Sequence, residues 1–224
     1  MDYNFLLKLI SRVVILVTAI PVHESAHGLV SLWLGDPTAK RAGRISLNPL
    51  RHFDMLGTLC LLAVGIGWAK PVPIDPRYYK NPRAGMALSA LAGPVSNLLM
   101  AYVAMCLYKI VAYTAPAASG FWSYAALVLY YMVIIDVYLA IFNLMPFPPF
   151  DGSRIYTAFL PERIYFGIMK YERYIFIAVF ALLMLTSVFD APLTAATNAV
   201  LTFLDKVTGL IDLVAGSHLA QSAL

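Results

Sequence analysis

Charge is what this sequence has least of. Only 12% of its 224 residues are Asp, Glu, Lys or Arg, while 61% are hydrophobic. An ordinary soluble domain carries about 25% charged and about 45–50% apolar residues. Half the usual charge cannot cover a soluble globule of this size, so a cytosolic enzyme is excluded. A mean hydropathy of +0.75 excludes a disordered chain as well. What remains is an all-α polytopic membrane protein whose outer surface is solvated by a lipid bilayer. Cysteine is scarce too. Cys60 and Cys106 both sit in apolar stretches and read as small core residues, not as a disulfide or a metal pair. No basic run and no polar domain accompanies the net charge of +4. Nucleic acid is therefore not an expected partner, and the excess Lys and Arg instead mark cytoplasmic loops. No cleavable signal peptide is expected, because the first apolar stretch is too long and no small-residue cleavage site follows it.

The length suits a single domain over residues 1–224, with five or six membrane segments. A core of about 5–160 would be followed by C-terminal helices over about 174–214. The first apolar stretch, 5–34, is long enough to span with tilt. Gly35-Asp36-Pro37 stops it. Arg44-Ile45-Ser46-Leu47-Asn48 alternates polar and apolar, which predicts a short strand. The apolar run 55–68 is short for a span and holds Gly57, Gly65 and Gly67, so a re-entrant segment is expected. Ala69 to Arg83 is Pro-rich, and Pro71, Pro73 and Pro76 force extended backbone. Two long spans follow, 84–112 and 121–147, the second ending in Pro146-Phe147-Pro148-Pro149. A mixed polar segment from Arg154 to Arg173 precedes a shorter span, Tyr174 to Phe189. A last amphipathic stripe runs through Leu193, Ala196, Val200, Leu204, Val207, Ile211 and Val214.

The loop from Tyr113 to Ser123 has no Lys or Arg, whereas residues 36–83 and 148–173 are rich in both. Both basic regions are expected inside, with the N-terminus outside despite Lys8 and Arg12.

Within the first span reads His23-Glu24-Ser25-Ala26-His27. This is H-E-x-x-H on a helix, where positions i and i+4 share a face and both imidazoles can meet one metal ion. Glu24 lies roughly 100° round the helix from His23, suited to a water beside the metal. Zinc is the expected ion. Three ionisable groups in one apolar helix each cost about 2–3 kcal/mol or more at the bilayer centre, which argues for a partner such as a metal.

Two imidazoles and a water leave one ligand missing. Asp151, past the prolines and before Gly152, is the strongest candidate. It could equally be an ordinary loop carboxylate after a helix end. Asp136 lies seven residues before Asn143, on the same face. That face should look into the bundle, and the carboxyl there should be protonated or hydrogen-bonded to a partner such as a Tyr.

Five segments in order resemble the site-2 proteases, the intramembrane zinc metalloproteases of peptidase family M50. They are the zinc helix His23–His27, the loop Gly43–Asp54 with Gly57, Gly67-Trp68-Ala69-Lys70-Pro71-Val72-Pro73, Ala92-Gly93-Pro94-Val95-Ser96-Asn97, and Asn143, Pro146, Pro148, Asp151 and Gly152. Phe150 stands where the family usually has Leu. The resemblance implies Asp151 as third zinc ligand, Glu24 as general base, and Asn97 and Asn143 near substrate or the developing oxyanion. Helix packing is the other reading for Asn97. His52 and Asp54 are expected to brace the loop, with His52 the next candidate ligand. No room is left for a PDZ or CBS domain, so the likeness is to the minimal members.

The resemblance implies a zinc endopeptidase of the prokaryotic cytoplasmic membrane, with transmembrane proteins as substrates. Two rival classes are an H-E-x-x-H membrane protease for prenylated or soluble peptides, and a silent zinc-dependent scaffold or transporter. The first takes a later Glu as third ligand, and Glu162 and Glu172 sit in no such motif. The second is opposed by an intact Glu24.

Overall fold

The computed structural model describes residues 9, 10, 12–64, 67–114 and 120–222. The start of the first apolar stretch with Lys8, Gly65, and residues 115–119 of the uncharged loop lie outside them. Among the described residues the chain is helical and forms no strand.

Helix α1 runs Arg12–Trp33. Its first part is wound as a π-turn over Ile15–Ala19, and the Ile20 N–H donates to the Ile15 carbonyl. Pro21 explains the widening. It has no N–H for the carbonyl of Val17, and its ring needs room there. Gly35, with φ +106°, ends the helix in a backbone region that suits glycine. A short α2, Thr38–Arg41, and an α3, Met55–Val64, precede the long helices. Helix α4 spans Pro82–Thr114 and α5 spans Gly120–Asn143. The short α6, Asp151–Thr157, follows the proline break. Then come α7, Glu162–Leu185, α8, Asp190–Val207, and α9, Gly209–Ser222.

Three of these, α1, α4 and α5, are long and apolar enough to cross a membrane. This agrees with an integral membrane protein. The further spans expected from sequence would fall on α3, with ten residues, and on the more charged α7 and α8.

Helix α4 packs between α1 and α5. Its buried positions Gly85, Ser89, Gly93, Asn97 and Ala101 recur every fourth residue. Such a stripe of small side chains lets membrane helices approach closely and turns its polar members inward. Ala101 and Val137 meet Leu204 of α8 in one apolar cluster, and Met145 and Phe150 meet Leu193 in a second.

Lys109 is buried on α4, and its Nζ pairs with Asp205 of α8 at 2.8 Å and with Asp212 of α9. The Tyr113 hydroxyl donates to Asp212 at 3.0 Å. Lys109→Met should therefore loosen the C-terminal helices. Hydrogen bonds to charged groups contribute about 1.5–3 kcal/mol. The loss is read as a lower melting temperature in detergent, with metal content unchanged.

Several sequence expectations are corrected here. Residues 44–48 form no strand. The Ser46 N–H donates to Ser25 Oγ at 3.1 Å, and its carbonyl accepts from Ser25 Oγ at 2.8 Å and from His52 Nε2 at 2.6 Å. Those groups are used locally and are not free for a ladder. The second long span ends at Asn143, four residues before the expected 147. The segment expected to be mixed polar is mostly the start of α7, whose helix begins at Glu162 and not Tyr174. The last stripe is interrupted at Thr208. Leu193 and Leu204 are buried, but Val207 and Val214 are both 49% exposed. Asp136 is fully buried, as its face predicts. Its two oxygens have no hydrogen-bond partner among the described residues, so the expected polar link is not made.

Candidate metal centre

The π-turn and Pro21 lie just before His23, and the regular helix that follows sets His23 and His27 one turn apart. Their rings meet edge to face, with centroids 4.6 Å apart and planes at 87°. Both are buried. His23 Nδ1 lies 3.0 Å from Asn97 Oδ1, and His27 Nδ1 lies 2.7 Å from the Ser89 carbonyl. Both partners are oxygens that accept, so each Nδ1 carries the proton. In the neutral rings each Nε2 then presents a lone pair.

Those two lone pairs face one carboxylate oxygen. Asp151 Oδ2 lies 3.1 Å from His23 Nε2 and 3.2 Å from His27 Nε2. Asp151 opens α6, and Gly152 is needed beside it. A Cβ there would stand 2.3 Å from the Leu144 carbonyl oxygen. Burial alone would raise the Asp151 carboxyl, but the His27 and His23 imidazoles, when protonated at both nitrogens, outweigh it and hold the group below its usual range. Gly93 has a matching role. A Cβ there would lie 2.5 Å from atoms of both imidazoles. Only glycine lets α4 pass this close to the pair.

Three electron-pair donors thus converge. His23, His27 and Asp151 form the one group among the described residues whose ligand atoms could hold a metal ion. The donor set suits zinc. With metal–ligand bonds of about 2.0–2.1 Å, tetrahedral ligands stand about 3.3 Å apart. The two separations at Asp151 are close to that.

Comparisons with known proteins bear on the family of the chain. The model of peptidase family M50 matches residues 107–187. A Bacillus subtilis (strain 168) protein named "Putative zinc metalloprotease YwhC" is 36% identical over 188 residues, covering 84% of this chain and 85% of that protein. The chain belongs to peptidase family M50, the site-2 protease family. A Mycolicibacterium smegmatis protein named "Putative zinc metalloprotease Rip2" is 29% identical over 136 residues, covering 58% of this chain and 50% of that one. No solved structure matches.

The other expected residues fall in different places. Glu24 accepts a hydrogen bond at Oε2 from the Val72 N–H, 3.0 Å away. Val72 stands between Pro71 and Pro73, so it has the sole backbone N–H of that trio. Asn97 orients the His23 ring, and its buried Nδ2 has no partner among the described residues. Asn143 donates from Nδ2 to the Leu139 carbonyl on its own helix, 2.9 Å away. His52 is fully buried and donates from Nε2 to the Ser46 carbonyl, while its own carbonyl accepts from Lys70 N at 2.9 Å. Asp54 accepts from Gly57 N at 2.8 Å at the start of α3. Neither belongs to the metal-competent group. Ser89 escaped the sequence reading, and Val72 entered it only as part of the Gly67–Pro73 motif, because each contributes through its backbone. The four-residue spacing of Gly85, Ser89, Gly93 and Asn97 was the signal available for Ser89.

Proposed function

We propose that this chain is a zinc-dependent endopeptidase that cuts peptide bonds within or near transmembrane segments of other membrane proteins. One observation carries the reading. Two imidazoles and a carboxylate converge inside a bundle of membrane-long helices, with a second carboxylate, Glu24, next to them on α1. The names of both relatives support a zinc protease.

His23, His27 and Asp151 would hold the ion. Zinc, when bound, supplies a Lewis acid that polarises a carbonyl and acidifies a water. Glu24 takes a proton from the water as its oxygen bonds to the scissile carbonyl carbon. It returns that proton to the amide nitrogen as the C–N bond breaks. Asn97 and Ser89 keep both rings in the tautomer that directs Nε2 inward. Asn143 would serve substrate or the developing oxyanion after its side chain leaves Leu139.

His23 lies ten residues before the end of α1 at Trp33, about 15 Å along the helix. Water must reach it from the basic side, which we place in the cytoplasm of a prokaryotic cell. A peptide bond in a helix is shielded by its own hydrogen bonds, so a substrate must unwind first. Clearance of signal-peptide remnants and regulated intramembrane proteolysis are the processes such chemistry would serve.

The test uses the purified chain in liposomes with single-span substrates. A strong zinc chelator should stop cleavage, and added Zn²⁺ should restore it. Helix-weakening Gly, Asn or Pro near the cut should speed cleavage relative to a poly-Leu stretch. Activity that survives complete zinc removal would defeat the reading.

A further inference from the structure

Outside the three ligands, the structure holds a second buried polar assembly. Asp36 is fully buried just past α1. Its Oδ1 accepts from Thr38 N at 2.9 Å and from the Thr38 hydroxyl, and its Oδ2 accepts from Ser31 Oγ at 2.9 Å and from Asp75 N at 2.8 Å. Burial alone would raise the Asp36 carboxyl, but these bonds, led by that from Thr38, hold it below its usual range. Each oxygen takes a backbone N–H, which can only donate, so both oxygens of Asp36 serve as acceptors here.

That fact orders the protons of everything attached to it. The Ser31 hydroxyl must donate to Asp36. Ser31 Oγ lies 2.7 Å from the Tyr79 hydroxyl, so Tyr79 donates to Ser31. Tyr79 lies 2.9 Å from Ser89 Oγ, so Ser89 donates to Tyr79. Ser31 and Ser89 are fully buried, and Tyr79 is 6% exposed. The chain of donors runs one way, from Ser89 through Tyr79 and Ser31 to Asp36. Its far end is the residue whose carbonyl holds His27 Nδ1. Its near end holds Asp75 N, three residues beyond the Val72 amide that meets Glu24.

The position of Tyr79 is built, not incidental. Its ring lies against Gly85, where a Cβ would come within 2.2 Å of a ring carbon. Glycine there lets the ring come close against α4, one turn before Ser89. A serine inside a helix often turns its hydroxyl back to the carbonyl four residues earlier. Tyr79 draws that hydroxyl away.

We propose that Tyr79 is a positioning residue for the metal site, which through Ser89 sets the carbonyl that holds His27 and through Ser31 and Asp36 ties that carbonyl to the Pro71–Asp75 loop. This rests on the reading of His27 as a zinc ligand. The loop that touches Glu24 and the helix that holds His27 are then one mechanical unit. Groups that orient metal-bound histidines change metal affinity by about 10–100-fold. Tyr79 acts one residue further out, so the lower end of that range applies.

The test compares the full-length wild type with Tyr79→Phe, Ser31→Ala, their double variant, and Tyr78→Phe as an exposed control. Zinc affinity is measured by competition with a chromogenic chelator, and ligand geometry by the visible spectrum of the cobalt-substituted protein. Tyr79→Phe should weaken zinc about tenfold and shift the cobalt bands. It should lower kcat with KM nearly unchanged, the split expected when an interaction of the transition state is lost. Ser31→Ala should act in the same direction, and the double variant should add little, because both cut one chain. If Tyr79→Phe does not fold, Ser31→Ala carries the same readouts. Wild-type zinc affinity and an unchanged cobalt spectrum in the foldable variants would overturn the proposal, even with lowered thermal stability. His27→Ala separates the two levels. Wild-type zinc affinity in that variant would overturn the metal reading itself, whereas lost zinc there beside an unaffected Tyr79→Phe would overturn the relay alone.

Discussion

Glu24→Gln should lose proteolysis while keeping its zinc. The exchange holds size and shape nearly constant. Glu24 Oε2 accepts from the Val72 N–H at 3.0 Å, and a glutamine carbonyl oxygen can accept the same bond. The Pro71–Asp75 loop should therefore stay on α1. The three metal-competent groups do not include Glu24, so the ion should stay as well. What glutamine cannot do is take a proton from water at neutral pH. General base catalysis contributes about 10²–10⁴-fold, and the rate should fall by at least that much. The measurement is single-turnover cleavage in liposomes beside elemental analysis of the same sample. A variant that cuts normally would remove Glu24 as the base. A variant that loses both zinc and cleavage would instead make Glu24 part of the metal site.

How much of this was legible in the sequence depends on distance along the chain. His23 and His27 share a helix face at a spacing that sequence states directly. Asp151 lies 128 residues from His23. No periodicity links them: the place of Asp151 past the proline break made it a candidate ligand and equally an ordinary loop carboxylate, and the resemblance to a family decided between the two. Ser89 and Tyr79 show the limit more sharply. Ser89 acts through a carbonyl, which every residue has, so its identity carried little signal. Tyr79 acts through a hydroxyl that meets two serines, 48 residues before it and 10 after. Only the packing of α1 on α4 brings them together. The three long helices were readable because some twenty apolar residues are needed to cross a bilayer. The strand at Arg44–Asn48 failed for a related reason. Five alternating residues satisfy a period of two, but a strand also needs a neighbour. Ser25 and His52 took the backbone groups of Ser46 first. Asp136 was correctly turned inward by its spacing from Asn143, yet spacing could not say whether a partner waited there.

Asp151→Ala should lose zinc and activity together, which sets it apart from Glu24→Gln. Asp151 Oδ2 is 3.1 and 3.2 Å from the two Nε2 atoms. It is the anionic member of the set. Without it two neutral imidazoles remain, and the positive charge of the ion has no counter-charge from Asp151. Loss of a partner that merely orients a ligand weakens metal binding about 10–100-fold, so loss of a ligand should exceed that range. Metal binding is linked to folding. The variant should therefore gain less thermal stability from added Zn²⁺ than the wild type does. The fold itself should survive. Gly152, not the Asp151 side chain, is what permits the close approach to the Leu144 and Met145 carbonyls, and Met145, Phe150 and Leu193 still pack beside it. Asp54→Ala is the informative control. Its carboxylate caps α3 through Gly57 N, far from these roles, so it should keep both zinc and the cobalt spectrum of the wild type. Normal zinc in Asp151→Ala, with zinc lost in a His52 variant, would move the third ligand to His52. That result would contradict the geometry directly, because the His52 Nε2 is already committed to the Ser46 carbonyl at 2.6 Å.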